Sequence, residues 1–255
     1  MKAVILAAGY ATRLRPLTDQ VPKPLLPVGG RPILDWLVEN IRGVDEIDEL
    51  HVVTNGRFAA RFREWAAPYG ITVHDDGTHT NDDRLGAIGD LQLVIDRAGI
   101  DDALLVVAGD NLFDFPLAGY VRFWHDRPGA SAVAVYDCGD LALASQYGIV
   151  DLDAADRIVG FVEKPAEPSS TLAATATYLY ARAHVPLVAE YIAEGLPPDQ
   201  SGSLVAWLHR REPVYGYRFP GEWFDIGNQE QLLEADNRLR RLAGRPERAA
   251  YSLEP

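Results

Sequence analysis

The sequence predicts an α/β fold, in which a mixed, mainly parallel sheet is covered by helices on both faces. In the first half of the chain, apolar strand-like runs alternate with helix-like segments at short spacing. The strand-like runs are almost continuously apolar, and residues 103–108 are the clearest example. Such runs are typical of parallel strands, which are buried on both faces and joined by crossover helices.

Periodicity then places the elements of the first half. Short apolar runs predict strands at residues 4–6, 50–54, 71–74 and 103–108. Apolar residues that recur every three or four positions predict helices around residues 33–41, 58–65 and 91–95. Ligands of such sheets bind at the carboxyl ends of the strands. This edge is where we expect Gly9, Asn55 and Asp110.

The second half is richer in strands. We predict strands at residues 131–136, 147–152, 158–163, 175–180 and 214–218, and helices at 186–194 and 228–242. No internal repeat or low-complexity linker interrupts the chain. We therefore expect one domain over residues 1–243, with halves at about 1–125 and 126–243, and a loose C-terminal tail over 244–255.

The composition excludes several classes of protein. A chain of 255 residues can bury a substantial core, and its net charge of −13 argues against a nucleic-acid partner. The single cysteine, Cys138, excludes an intramolecular disulfide. The apolar run at 3–8 is too short for a signal peptide, and no other run is long enough to span a membrane. We expect a cytoplasmic protein without a membrane partner, and a homo-oligomer stays open.

The turn after the first strand favours binding of a phosphorylated ligand. Residues 7–11 are small apart from Tyr10, so the backbone can approach a ligand closely and aim its N–H groups at phosphate oxygens. Arg13 and Lys23 supply the positive charge that a triphosphate needs. The alternative is an ordinary strand and turn with a surface arginine and lysine.

The same segment resembles a known family signature. Gly9-Tyr-Ala-Thr-Arg-Leu-Arg-Pro-Leu-Thr18, followed by Lys23-Pro24, is similar to the Gly-x-Gly-Thr-Arg-Leu-x-Pro-x-Thr and Lys-Pro elements of the sugar-phosphate nucleotidylyltransferases. Ala11 replaces the second glycine, which adds one methyl group and is strained only where φ is positive. The resemblance covers about residues 2–240 and points to the glucose-1-phosphate thymidylyltransferase type.

This resemblance implies a fold and a reaction. The fold is the Rossmann-like one of the nucleotide-diphospho-sugar transferases, with a nucleotide-binding first half and an acceptor-binding second half. The implied partners are a nucleoside triphosphate and a phosphorylated small-molecule acceptor, a sugar 1-phosphate, which react to an NDP-sugar and pyrophosphate. The chain ends soon after its last predicted helix, so we expect a short form without the C-terminal repeat domain of longer members.

The resemblance also implies which residues act on the nucleotide. Arg13 is expected to stabilise the leaving pyrophosphate, and Lys23 to lie near the α-phosphate. Asn81 takes the place of a family glutamine that pairs with the base, and its amide suits uracil, thymine or cytosine. The base therefore stays open. The expected nucleotide contacts are Leu6, Ala8, Gly9, Thr12, Asn81 and Gly86.

Two carboxylates are candidates for binding Mg²⁺. Asp110 follows a glycine at the end of a buried strand, and Asp225 lies in a Trp223-Phe-Asp-Ile-Gly227 element similar to the family's Trp-x-Asp-x-Gly. Carboxylate oxygens suit a hard divalent cation. The alternatives are an ordinary turn at Asp110 and a helix cap at Asp225.

Four residues are candidates for binding the acceptor. Lys164 ends a strand before a proline and resembles the family lysine that reaches the acceptor phosphate, with Glu163 on an acceptor hydroxyl. An exposed ion pair is the alternative for these two residues. Asn111 and Thr175 are expected to line the same pocket. Thr175 stands where many hexose-1-phosphate enzymes have asparagine, which puts the glucose-1-phosphate assignment in doubt.

Other functions remain open from the sequence. The altered segment at Thr175 also suits a cytidylyltransferase that acts on a phospho-alcohol or a phosphonate. A catalytically silent nucleotide-sugar-binding subunit is a different class, but it has no reason to keep the full set of Arg13, Lys23, Asp110, Lys164 and Asp225. A metal-dependent glycosyltransferase would typically show an Asp-x-Asp motif, which Asp110-Asn-Leu lacks.

Overall fold

The computed structural model describes residues 1–253 and has an α/β architecture. The strands, in chain order, are β1 (Lys2–Leu6), β2 (Pro27–Val28), β3 (Arg31–Pro32), β4 (Glu49–Thr54), β5 (Thr72–Asp75), β6 (Leu104–Ala108), β7 (Asn111–Phe113), β8 (Ser131–Asp137), β9 (Gly148–Leu152), β10 (Ile158–Glu163), β11 (Leu172–Tyr180), β12 (Val214–Arg218) and β13 (Trp223–Asp225). The helices are α1 (Ile33–Arg42), α2 (Ala59–Ala66), α3 (Ala87–Ala98), α4 (Leu117–His125), α5 (Leu141–Ala144), α6 (Leu187–Ala193), α7 (Ser201–Leu208) and α8 (Gln229–Leu242). Single 3₁₀ turns lie at Thr12–Leu14, Leu17–Asp19, Lys23–Leu25, Ala67–Tyr69 and Arg182–His184.

One nine-stranded sheet organises the chain, and its two halves differ in strand direction. The path is β10-β9-β11-β6-β1-β4-β5, with β8 paired to β11 and β12. Strands β6, β1, β4 and β5 run parallel to one another. β11 runs antiparallel to β6, β8 and β9. The predicted mixed sheet is confirmed, with the parallel pairing concentrated in the first half of the chain.

Helices cover both faces of this sheet, as predicted. Alternate residues of β1 point to opposite sides, so Ile5 packs into one core with α1, α2 and α4, whereas Val4 packs into another with α3, α6 and α7. This alternation explains why the parallel strands are apolar at nearly every position.

A third, smaller core fixes the start of the chain to its end. Leu14 and Leu26 from the N-terminal segment pack with Ile226 and with Leu232 of α8. Farther on, Tyr251 donates a hydrogen bond from its hydroxyl group to the Pro27 carbonyl oxygen at 2.8 Å. The predicted tail 244–255 therefore makes side-chain contacts with the domain through its described part, and residues 254–255 lie outside the described residues.

The periodicity missed three helices, of which α4 ends the first half and α5 and α7 lie in the second. α7 is short and contains buried residues around much of its circumference, so it shows no clear amphipathic repeat. α4 is also short, and it buries only Leu117, Tyr120 and Val121, on one face. α5 is a single turn capped by Asp140, whose side chain accepts hydrogen bonds from the Ala142 and Leu143 amides. Within residues 1–253, no helix combines the length and apolar character needed to cross a bilayer.

Candidate active site

Two adjoining cavities open at the carboxyl ends of the parallel strands. One has a volume of about 470 Å³ and includes Lys164 in its wall, and we call it the Lys164 cavity. The other has a volume of about 360 Å³ and includes Gly9, and we call it the Gly9 cavity. Asp110 and Ser201 line both. The site is therefore a two-part space with Asp110 at the junction.

The turn after β1 forms the floor of the Gly9 cavity. The Ala7 amide donates a hydrogen bond to the Val53 carbonyl oxygen at 2.9 Å, and the buried Asn55 side-chain amide donates to the Ala8 carbonyl oxygen at 2.9 Å. Ala11 has a φ of 43°, in the left-handed region. An alanine in this region costs roughly 1–2 kcal/mol of backbone strain. The replacement of the family glycine by Ala11 is therefore strained at this position.

Lys23 and Asp110 meet at the junction of the cavities. Gly109 places the β6–β7 connection against β1, where its amide donates a hydrogen bond to the Leu6 carbonyl oxygen at 2.8 Å. A Cβ atom at Gly109 would lie 3.0 Å from that oxygen. The close approach brings the Asp110 carboxylate within 2.5 Å of the Lys23 ammonium group, which is almost fully buried. Such pairing offsets the cost of burying the lysine charge.

Asp225 lies beside Asp110 through the pairing of two short strands. β13 pairs with β7 so that Asp225 is opposite Asn111, the residue after Asp110. Burial and the negative charge of Asp110 raise the pKa of Asp225, and Lys23, Lys164 and Arg13 oppose this shift. Asn228, rather than Asp225, caps helix α8, because its side-chain oxygen accepts a hydrogen bond from the Gln231 amide.

These two carboxylates fit a divalent cation that also binds a phosphate. Within residues 1–253, no three histidine, cysteine or acidic side chains cluster as ligands of one metal ion. Asp110 and Asp225 would thus supply only part of a coordination shell of oxygens. Mg²⁺ usually binds in this way, through one or two carboxylates together with substrate phosphates and water.

Positive and polar groups face each other across the Lys164 cavity. Arg13 is exposed at the cavity wall, and Lys164 lies at the end of β10 with a φ of 46°. The Lys164 amide donates a hydrogen bond to the Tyr147 carbonyl oxygen at 3.0 Å, which holds this conformation. Burial raises the pKa of Glu163, opposed by the charge of Lys164. Lys164 is exposed and has space to meet an anion.

Asn111 and Thr175 line this cavity but already have internal partners. The Asn111 amide group donates to the Thr175 carbonyl oxygen, and its side-chain oxygen accepts a hydrogen bond from the Trp223 indole at 3.1 Å. The Thr175 hydroxyl donates to the Ala134 carbonyl oxygen at 3.1 Å and is fully buried. Their contact with an acceptor stays a prediction.

The loop before α3 closes the Gly9 cavity. Leu6, Ala8, Gly9, Asn81 and Gly86 all line it, whereas Thr12 is exposed and lines neither cavity. Gly86 has a φ of 82°, and a Cβ atom there would lie 2.7 Å from the Pro198 carbonyl oxygen. Arg84 forms two hydrogen bonds to the Asp199 carboxylate, at 3.0 and 3.1 Å. The two loops on either side of the cavity are thereby joined.

Several wall residues were missed by the sequence interpretation. Tyr147 and Trp223 line the Lys164 cavity and pack edge to face, with their ring centroids 4.8 Å apart. They were missed because most aromatic residues of a chain belong to its core. Ser201 lies at the start of α7, a helix that periodicity did not reveal. Asp90 lines the Gly9 cavity from the first turn of α3. Its acidic character within an otherwise apolar helix face was the available signal.

Comparisons with known proteins identify the family of this chain. A family model described as nucleotidyl transferase matches residues 2–241. A UTP–glucose-1-phosphate uridylyltransferase from Synechocystis sp. is 33% identical over 249 residues, which cover 92% of this chain and 62% of that protein. The bifunctional protein GlmU from Methanocaldococcus jannaschii is 27% identical over 239 residues, which cover 94% and 54%. The chain therefore spans a little over half the length of these curated relatives.

Solved structures show the same architecture. A Bacillus anthracis protein assigned as a glucose-1-phosphate thymidylyltransferase and crystallised with sucrose has a TM-score of 0.80 and 26% identity, over 94% of this chain and 95% of that one. UDP-glucose pyrophosphorylase without ligand has a TM-score of 0.78 and 19% identity, over 95% and 98%. At this identity, the second likeness shows the fold alone.

The match to the family model runs from β1 to the last turn of α8, so it includes both cavities and every charged residue between them. The resemblance predicted from the segment Gly9 to Thr18 is thereby confirmed, and the chain belongs to the nucleotidyl transferase family.

Proposed function

We propose that this protein joins a nucleoside triphosphate to a sugar 1-phosphate, giving an NDP-sugar and pyrophosphate. The observation that carries the proposal is the pair of cavities that meet at Asp110. The Gly9 cavity has the small-residue floor that suits a nucleotide, and the Lys164 cavity has an exposed cation for a phosphate monoester. The relatives from Synechocystis and Bacillus anthracis, by their names, use glucose 1-phosphate, which supports a sugar phosphate as acceptor.

In the proposed reaction, an oxygen of the sugar phosphate attacks the α-phosphorus of the triphosphate. A new phosphorus–oxygen bond forms, the bond between the α-phosphorus and the bridging oxygen breaks, and its electron pair leaves with pyrophosphate. A phosphate monoester is largely a dianion near neutral pH, since its second pKa is about 6. The nucleophile therefore needs no general base. The protein has to align two polyanions and offset the charge that builds on them.

The charged residues divide this task according to their positions. Lys164, exposed at the end of β10, would bind the acceptor phosphate, and Glu163 beside it would accept a hydrogen bond from an acceptor hydroxyl. Lys23, at the junction, would neutralise the α-phosphate, and Arg13 the departing pyrophosphate. Three cations around one junction suit a reaction between anions, although the whole chain carries a net charge of −13.

Mg²⁺ is the cofactor that we propose for Asp110 and Asp225. When bound, it would neutralise charge on the phosphate oxygens. The raised pKa of Asp225 next to Asp110 indicates that the two carboxylates repel each other without a cation between them. Lys23 offsets part of this repulsion in the absence of substrate, because its ammonium group lies 2.5 Å from Asp110.

Pyrophosphate release tests the proposed function. The protein is incubated with Mg²⁺, each of the nucleoside triphosphates, and a panel of sugar 1-phosphates that also includes phosphocholine. We expect release that requires one sugar 1-phosphate and stops when EDTA is added. Pyrophosphate release with phosphocholine alone would mean that the acceptor is a phospho-alcohol and not a sugar phosphate. A folded protein that releases no pyrophosphate with any pair of substrates would refute the proposal.

A further inference from the structure

A pair of buried acidic side chains at the Gly9 cavity, Asp76 and Asp90, is not used by the proposed reaction. Asp90 lines the cavity, whereas Asp76 contacts Asp90 without lining it. Asp76 follows β5, and Asp90 lies in the first turn of α3, where its amide donates a hydrogen bond to the Gly86 carbonyl oxygen at 2.8 Å. Asp76 is 8% exposed and Asp90 is 6% exposed. Two carboxyl groups buried together need either partners or a shared proton.

Asp76 is held as the hydrogen-bond acceptor of the pair. The Thr78 amide donates to one Asp76 carboxylate oxygen at 2.7 Å, and the Thr78 hydroxyl lies 2.8 and 3.0 Å from the two oxygens. The Tyr10 hydroxyl lies 2.9 Å from the same Thr78 hydroxyl, which fixes this side chain in turn. Asp76 therefore has donors that stabilise its ionised form.

Asp90 has no comparable donors. Its Oδ1 atom is buried and has no hydrogen-bond donor within residues 1–253. Burial, and then the charge of Asp76 and the hydrogen bond to it, raise the pKa of Asp90 to about 8. Burial raises the pKa of Asp76 as well, but the hydrogen bonds from Thr78 and Asp90 oppose that shift, so the donors around Asp76 favour a shared proton on Asp90. The Oδ1 atom of Asp90, in the wall of the Gly9 cavity, is thus an acceptor that no donor among residues 1–253 satisfies.

The position of Asp90 separates it from the phosphate end of the site. Lys23 and Asp110 lie where the two cavities join, so the phosphates are expected at that junction. Asp90 lines the Gly9 cavity only, together with Tyr10, Asn81 and Gly86. The part of a nucleotide that lies away from its phosphates is the base.

We propose that Asp90, positioned by Asp76, is a specificity-determining residue that contacts the edge of the nucleobase. The inference rests on the proposed function, because it assumes that a nucleoside triphosphate binds in the Gly9 cavity. An acceptor oxygen at this edge matches a base whose ring nitrogen carries a hydrogen, as in uracil, thymine and guanine. Cytosine and adenine present a lone pair at that nitrogen, which would face the Asp90 oxygen without a hydrogen between them.

Asp90 thus supplies the discrimination that Asn81 alone cannot supply. A side-chain amide offers both a donor and an acceptor, and it can turn to suit uracil or cytosine. A carboxyl group whose proton is engaged by Asp76 offers only an acceptor to the cavity. Replacing Asp90 by leucine removes this acceptor at a similar side-chain size. In Asp90→Asn, by contrast, the amide NH2 group can donate to Asp76, and the amide oxygen can still serve as the acceptor.

Binding of UTP and CTP tests this assignment without turnover. Calorimetry is carried out with Mg²⁺ and without any sugar phosphate, so that no product forms. We expect the wild-type protein to bind UTP more tightly than CTP by at least about tenfold. In Asp90→Leu we expect the ratio to fall towards one, whereas Asp90→Asn should keep the preference for UTP. Asp96→Leu is the matched control, because it makes the same change on the exposed face of the same helix.

The outcomes separate this inference from the proposed function. A ratio in Asp90→Leu equal to that of the wild type, in a variant whose thermal unfolding shows a folded protein, would overturn the role of Asp90. Loss of the UTP preference in a folded Asp90→Asn would overturn it too. Wild-type preference for CTP would overturn it as well. If the wild-type protein bound no nucleoside triphosphate at all, both the proposed function and the inference would fail.

Discussion

The buried carboxyl pair predicts a pH dependence of stability that one substitution should remove. The pKa of Asp90 is raised from 3.8 to about 8 in the folded protein, chiefly by burial and by the charge of Asp76. Between these two values the folded chain keeps a proton that the unfolded chain releases. Stability from this group is therefore fully present below pH 3.8 and is lost as the pH rises towards 8.

The size of the effect follows from the linkage relation. One proton difference changes the free energy of unfolding by about 1.36 kcal/mol per pH unit. From pH 5 to pH 7, Asp90 therefore costs the wild-type protein about 2.7 kcal/mol. The amide introduced by Asp90→Asn carries no titrating proton, so the free energy of unfolding of this variant relative to wild type should rise by the same amount across the window.

Urea denaturation at pH 5, 6 and 7 measures the difference. Comparing the variant with wild type removes the contributions of other groups, such as His51 and His74, whose pKa values burial lowers. Asp96→Asn, on the exposed face of the same helix, should give a difference that does not change with pH. If the difference between Asp90→Asn and wild type also stayed constant from pH 5 to pH 7, the assignment of the shared proton to Asp90 would be refuted.

Three further substitutions test separate parts of the site. Arg13→Ala should lower kcat by about 10²–10³-fold, the loss typical of one group that stabilises transition-state charge. Arg15→Ala, which removes an exposed arginine outside both cavities, should stay within a few-fold of wild type in the same steady-state assay. Gly86→Ala should destabilise the protein by more than about 2 kcal/mol, because the φ of Gly86 is 82° and the new Cβ atom would lie 2.7 Å from a backbone atom. Gly99→Ala is the control and should cost less, because no atom of residues 1–253 lies near its Cβ position. Equal urea midpoints for the two variants would contradict this prediction. Gly202→Ala places a methyl group against the Glu163 carboxylate of the Lys164 cavity. The KM for the sugar phosphate should therefore rise by about tenfold, while the Kd for the nucleotide stays unchanged. A change in nucleotide binding alone would contradict the division between the cavities.

The first half of the fold could be predicted from the sequence because its signals are local. Strands such as β6 are buried on both faces, and helices such as α1 carry a clear apolar repeat, so each element can be predicted from its own residues. The second half depends on tertiary context. α7 has few polar positions to define a face, and its place between two cavities follows from packing rather than from periodicity.

The candidate site shows the same division. Arg13 and Lys23 belong to the N-terminal motif, and Asp110 follows the end of β6. The structure brings all three to the junction of the two cavities. Asp90 and Asp76 are fourteen positions apart on a helix and a loop, and nothing in their spacing indicates contact. The internal hydrogen bond of the Thr175 hydroxyl was equally hidden, since it joins β11 to β8 across the sheet.

The most direct test of the proposed transfer follows the phosphates of a labelled triphosphate. The protein is incubated with Mg²⁺, glucose 1-phosphate and UTP that carries ³²P at either the α or the γ position, and the products are separated by chromatography. Attack at the α-phosphorus predicts that the α label enters a nucleotide sugar and that the γ label appears in pyrophosphate. Recovery of the γ label as inorganic phosphate, with the α label retained in UDP, would contradict the account.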